Sequence, residues 1–344
     1  MQNIEHKIEY MFDKLLHSYK NETLENKKLI IRDFMVLFEL LDDQKFILYY
    51  DEECMRLYNE NQDIIEDDYI DYYSIFRDIY NNSRHITQKL IEPNYNTENN
   101  KLIKNLTKYN IEDTIRLVKD FFRTYNMDLY NHFLYLLKNN CFGRILNDKI
   151  YLGTTYNFYY LGEDIILVDN FKTIYTAFIL VHEVMHSFVM LNAPNKSIKA
   201  DILLNINSLQ EVPSYYIELV FINYLKEIGI EKNDIDYLEK RRMILFKETL
   251  EDFKERVTNP EISNLIINDD NFLTILQRDE AIVYGYALGC TYFSKYLEGK
   301  ASLEPIELTI DSASNKRYLI LDKHGITDED LTKENLERRL RWMN

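Results

Sequence analysis

The chain has 344 residues, with 41 Lys and Arg against 57 Asp and Glu, a formal net charge of -16. An acid excess on this scale argues against nucleic acid, which requires a basic patch, and the length suffices for one large domain or two intimate ones. No run approaches the length of a membrane span, and the N-terminus, Met1-Gln2-Asn3-Ile4-Glu5, lacks the charged-then-apolar pattern of a signal peptide.

Glycine and proline are scarce, eight and five, which predicts long helices with few sharp turns. Apolar residues recur at helical spacing over 4–19, 29–50, 69–80 and 111–137, so the first 140 residues read as a helical array. The asparagine-rich stretch 94–105 reads as a loop within it. From Ile145 to Asp169 the composition turns β-branched and aromatic around Gly153 and Gly162, which predicts a small antiparallel sheet. Helical spacing resumes over 173–191, 211–228, 234–256, 271–297 and 328–342. The expected organisation is an N-terminal helical region, 1–143, and a catalytic region, 144–344, the two able to form one continuous domain. The fold class expected is mainly α, with one small antiparallel sheet beside the helix that carries the motif described next. Three cysteines (Cys54, Cys141 and Cys290) match neither a disulfide framework nor a metal cluster, and favour a reducing cytoplasm.

The most informative stretch is Val181-His182-Glu183-Val184-Met185-His186, a His-Glu-x-x-His motif in an apolar run. Residues four apart share a helix face, so His182 and His186 can offer both imidazoles to one metal, with Glu183 beside it to take a proton from water. With seven histidines in the chain, chance produces such a motif on the order of once in a hundred sequences. Two histidines on a face made apolar by Ile179, Leu180, Val184 and Phe188 need partners, which favours the metal. Catalytic zinc sites commonly use two His and one Glu, leaving a fourth position for water. Glu211 is the candidate third ligand, although Ser208 and Glu211 also read as a capping box at a helix start marked by Pro213. Glu218, seven residues on, falls on the same face and could orient a ligand histidine.

Glu-Val-Pro-Ser, 25 residues after the second histidine and followed by a further Glu, resembles the thimet oligopeptidase and oligoendopeptidase F family of zinc peptidases. Residues 164–170 and 176–181 resemble that family's strand leading into its metal helix, and Val283-Tyr284-Gly285-Tyr286-Ala287-Leu288-Gly289 resembles its tyrosine-bearing helix. The resemblance spans about residues 150 to 295. It implies a helical peptidase holding one Zn(2+) per chain on His182, His186 and Glu211, acting on peptides. Tyr215 stands where the family often has Gln, and residues 270–283 lack a histidine that many members carry.

The chemistry expected is hydrolysis of peptide bonds by metal-activated water, with Glu183 as general base and then acid. By resemblance Tyr286, and after it Tyr284, would donate to the developing oxyanion, against a reading of both as core. If 165–169 were an exposed strand edge, Ile165, Leu167 and Asp169 would bind an extended peptide by strand addition. Two other functions fit the same residues: a dedicated peptidase processing one leader or signalling peptide, and a helical peptide-binding protein without catalysis. His6, His17, His85, His132 and His324 show no ligand-like spacing. Nothing in the sequence bears on the oligomeric state.

Overall fold

The computed structural model describes residues 4–44, 106–144, 153–168, 172–193, 209–259, 270–299 and 303–312, together with 56, 59, 321, 323–327 and 330. The expected helices over 69–80 and 328–342, the loop at 94–105 and residues 145–150 therefore lie wholly or almost wholly outside the described residues. The chain divides into two compact units, one of Met1–Ile70 with Lys108–Leu191, the other of Asp71–Thr107 with Asn192–Asn344. The boundary expected at 143–144 falls inside the first of these.

The first unit opens with α1 (Ile4–Asn21) and α2 (Leu24–Gln44). The helical pattern expected over 111–137 is two helices, α3 (Ile111–Tyr125) and α4 (Met127–Lys138). Asn126 makes the break. Its backbone is extended (φ -156°, ψ 126°), its N–H closes α3 on Phe122 O, and its side chain accepts from the amides of Asp128 and Leu129 to open α4. Asparagine competes for backbone donors in this way, which is why it caps better than it continues a helix.

Three strands follow: β1 (Phe142–Arg144), β2 (Gly153–Phe158) and β3 (Glu163–Val168), in the order β1-β3-β2. β2 and β3 pair antiparallel as the sequence suggests, but β1 runs parallel to β3, with Phe142 opposite Ile166 and Arg144 opposite Val168. The sheet is thus mixed rather than antiparallel, because a short segment upstream of the hairpin covers β3's second edge. Buried Asp33 of α2 holds the hairpin turn, accepting from Tyr159 N at 2.7 Å and Leu161 N at 3.1 Å, while Gly162 supplies a left-handed φ of 65°.

Strand alternation divides the sheet's two faces. Tyr156, Phe158, Ile165 and Leu167 join one apolar core with Met11, Phe12 and Leu15 of α1 and Phe34, Leu37 and Leu41 of α2. Gly143 shares that face, since a Cβ there would fall 2.4 Å from Ile4 Cδ1 and 2.6 Å from Leu167 Cδ2. Gly153, Thr155, Asn157 and Asp164 look the other way, towards α5 (Ile174–Asn192). α5 alone among the described helices is long and apolar enough to cross a membrane, contrary to the expectation that no run approaches that length; 72% of the window is buried inside the fold.

The second unit is built on α6 (Val212–Glu227), α7 (Lys232–Thr258), α8 (Asp270–Leu297) and α9 (Glu304–Ser312), the last not anticipated from the sequence. α8 packs closely on α6 because Gly285 and Gly289 present no side chain there. A Cβ at Gly285 would come within 2.7 Å of Glu211 Cβ, and one at Gly289 within 3.0 Å of the Tyr215 backbone. Neither glycine has a positive φ, so close approach is their reason.

Candidate metal centre

Along α5 from Leu180 to Met190, His182 and His186 are the two residues not buried. The stripe Ile179, Glu183, Ser187 is spaced by four and lies against the sheet: Ile179 beside Gly153, Glu183 on Thr155, Ser187 on Asp164. The histidines form the adjoining stripe, also spaced by four, and so point to one side of the sheet contact. Their Nε2 atoms lie 3.1 Å apart, with ring centroids at 4.8 Å and planes at 69°. Two nitrogens on one tetrahedral zinc, each at about 2.0–2.1 Å, stand roughly 3.3 Å from one another. The observed pair fits that requirement.

Glu183 is 7% exposed, and its Oε2 accepts from Thr155 Oγ1 at 2.8 Å. One residue beyond the motif, Ser187 Oγ donates to Asp164 Oδ2 at 2.5 Å, and His132 Nε2 lies 2.7 Å from the same hydroxyl. Since the Ser187 proton goes to Asp164, His132 donates through Nε2–H. Asn157 Nδ2 donates to Asp164 Oδ1 at 2.7 Å, which completes a chain from strand to α5 to α4. Burial lowers the His132 pKa to about 4, so it stays neutral. Thr155, Asp164 and Ser187 carry no signature in the sequence; the alternation of β2 and β3 and the spacing of four on α5 are the signals that group them.

Glu211 sits at the N-cap of α6, with Pro213 in the first turn as expected. Its side chain makes no capping bond, and Ser208 lies outside the described residues. The turn before it is fixed by Thr309 of α9, whose hydroxyl donates to Leu209 O at 3.0 Å. Glu211, like His182 and His186, is partly exposed.

Glu218 accepts through Oε2 from Arg242 Nε at 2.7 Å, both side chains nearly dry, while Arg242 Nη2 reaches Tyr215 O at 3.1 Å. Burial pulls the guanidinium pKa down, but the facing Glu218 carboxylate outweighs it and keeps Arg242 charged. One partner of Glu218 is thus an arginine of α7 that nothing in the sequence singles out. Tyr286 is fully buried, its ring stacked on Phe246 at 3.9 Å, its hydroxyl on Met243 Sδ and Arg242 over its face at 4.6 Å. That is a packing arrangement, and burial raises the hydroxyl pKa. Tyr284 is buried as well. Ile165 and Leu167, expected to bind peptide, belong instead to the core against α1 and α2 on the central strand; Asp169 lies outside the described residues. The strand that ends the sheet beside α5 is β2, because β1 occupies the edge that β3 would otherwise have offered.

No family model matches the chain, and no curated protein is similar to it in sequence. Among solved structures it shares its fold with helical peptidases. One neighbour, assigned as an oligoendopeptidase F from Bacillus anthracis str. Ames, aligns over 99% of this chain and 74% of its own, with a TM-score of 0.54 and 13% identity. PZ peptidase A, solved with an inhibitor, aligns over 78% of this chain and 55% of its own, with a TM-score of 0.50 and 12% identity. At these identities the likeness is one of fold.

Proposed function

We propose that the chain is a metal-dependent peptidase in which His182, His186 and Glu211 hold one divalent ion, zinc by the character of the donor set. The observation that carries this reading is the pair of partly exposed histidines, Nε2 atoms 3.1 Å apart on a largely buried helix. Bound there, the metal supplies Lewis acidity towards a peptide carbonyl and brings the pKa of water to about 7. Two neutral imidazoles and one carboxylate leave a net positive charge for that purpose.

Glu183, one helical step from His182, takes the proton of the attacking water and later delivers it to the departing amine. Its burial beside Gly153 and Thr155 keeps the carboxylate in one place for both transfers. We assign the oxyanion donor to Tyr284, because the Tyr286 hydroxyl is committed to Met243. The substrate is a peptide, a reading supported by the fold shared with an assigned oligoendopeptidase F.

The test is hydrolysis of a mixed peptide library by the purified protein, followed by mass spectrometry, with metal content measured alongside. Wild-type protein is expected to cleave and to carry one metal per chain. A chelated sample and Glu183→Gln are expected not to cleave, the latter retaining its metal and losing at least about 100-fold in rate. Tyr284→Phe in the same assay is expected to lower kcat. Absence of both metal and cleavage in the wild-type protein sinks the reading.

A further inference from the structure

We propose that Thr155 is a positioning residue for the base: its hydroxyl, with bare Gly153 two residues before it, sets the Glu183 carboxylate in its working orientation. This rests on reading Glu183 as the base. Thr155 Oγ1 has one proton and two acceptors in reach, Glu183 Oε2 at 2.8 Å and Glu183 O at 3.0 Å. A three-centre bond of this kind ties the side chain of Glu183 to the backbone of its own helix turn, and both to the strand. The free rotation that a glutamate ordinarily keeps about its side-chain torsions is removed on one side by a hydrogen bond.

The other side is set by shape. A Cβ at residue 153 would stand 2.9 Å from Glu183 Oε1, 3.0 Å from its Cγ and 2.3 Å from Ile179 Cγ2. Contacts below 3.0 Å are essentially never made by a real Cβ, so a side chain at 153 forces the Ile179 and Glu183 side chains to shift. Residues 153 and 155 are two apart and therefore lie on one face of β2. One strand thus supplies an absence of bulk and a donor, side by side, to a single carboxylate. Holding a reacting group within a narrow range of geometry is where a large part of enzymatic rate enhancement originates, so a small loss here is read directly in kcat.

Thr155→Val keeps shape and β-branching and deletes only the donor. The expected result is a kcat lowered about tenfold, the usual size for losing a hydrogen bond to a charged group, with KM, metal stoichiometry and metal affinity unchanged. Thr155→Ser restores kcat, since the hydroxyl returns. A crystal structure of Thr155→Val is expected to show the Glu183 carboxylate turned from its place on β2, with the helix undisturbed. Wild-type kcat in Thr155→Val overturns the proposal. So does a joint fall of activity, metal affinity and thermal stability that serine does not repair, which marks a merely structural role. If Glu183→Gln abolishes cleavage while Thr155→Val leaves it intact, the proposal fails alone. If the wild-type protein cleaves nothing, the reading of the site fails and takes the proposal with it.

Discussion

The two regions that carry the candidate ligands are held by different physics. Around His182 and His186 the helix is fastened to the sheet by directed polar bonds, from Thr155 to Glu183 and from Ser187 to Asp164, with His132 and Asn157 closing the chain. Around Glu211 the fastening is mostly steric: two glycines of α8 let backbone meet backbone, and one buried ion pair, Arg242 with Glu218, locks α7 to α6. Polar bonds fix rotation and are sensitive to protonation. Close packing fixes distance and is sensitive to volume. A site built from both answers separately to pH and to bulk.

That contrast can be broken hardest at Arg242. Arg242→Met leaves the Glu218 carboxylate buried without its counter-charge, and removing one partner of a buried pair costs about 3–5 kcal/mol. Chemical denaturation is the measurement. Adding Glu218→Gln should recover much of the loss, because the uncompensated charge is then gone; a double variant no better than the single one would refute the ion-pair account.

The polar region is probed by pH. His132 has a folded pKa of about 4 against 6.5 for the free side chain, so the unfolded chain binds more protons in that interval. Its contribution is fully present above pH 6.5 and is lost as pH falls towards 4, by about 3 kcal/mol in all. Unfolding free energies measured across that window should fall with acidity, and His132→Phe should flatten the slope there. Variants of the glycine face of α8 should leave that slope unchanged.

The steric region is sharpened by Gly285→Ala. The added methyl meets Glu211 Cβ at 2.7 Å, and overpacking of this kind costs about 1–3 kcal/mol. Its distinctive mark is metal affinity, expected to fall about 10–100-fold, as is usual when the support of a ligand is disturbed. Equilibrium competition with a chromophoric chelator reads that directly. Unchanged affinity would mean that α8 does not set the position of Glu211.

Much of this architecture can be read from the residues in order. The apolar period gives α1, α5, α6 and α8, and the histidine spacing of four gives the paired imidazoles. Pro213 marks the start of α6, and the β-branched run around Gly162 gives the hairpin. What escapes is non-local. β1 is three residues long and pairs with a strand more than twenty positions away, so no local signal announces it, yet it removes the edge that Ile165 and Leu167 were expected to offer. Arg242 meets Glu218 across 24 residues. The burial of Tyr286 depends on Phe246 and Met243 from another helix. Asn126 was legible in principle, because asparagine followed by Asp128 is a capping pattern, but the apolar period runs straight through it.

The anchoring of α5 at residues 183 and 187 has a further consequence. Bonds to the sheet at two points on one stripe stop the helix from spinning about its axis, so the directions of His182 and His186 are set by the protein before any ion arrives. In the proposed metal site such a half-site would not have to be organised by its ligand, and little of the binding free energy would go into ordering those side chains. Amide protons of α5 should therefore exchange with solvent as slowly in the stripped protein as in the loaded one, and ion capture should be limited by diffusion and shedding of water rather than by a search for the right rotamers.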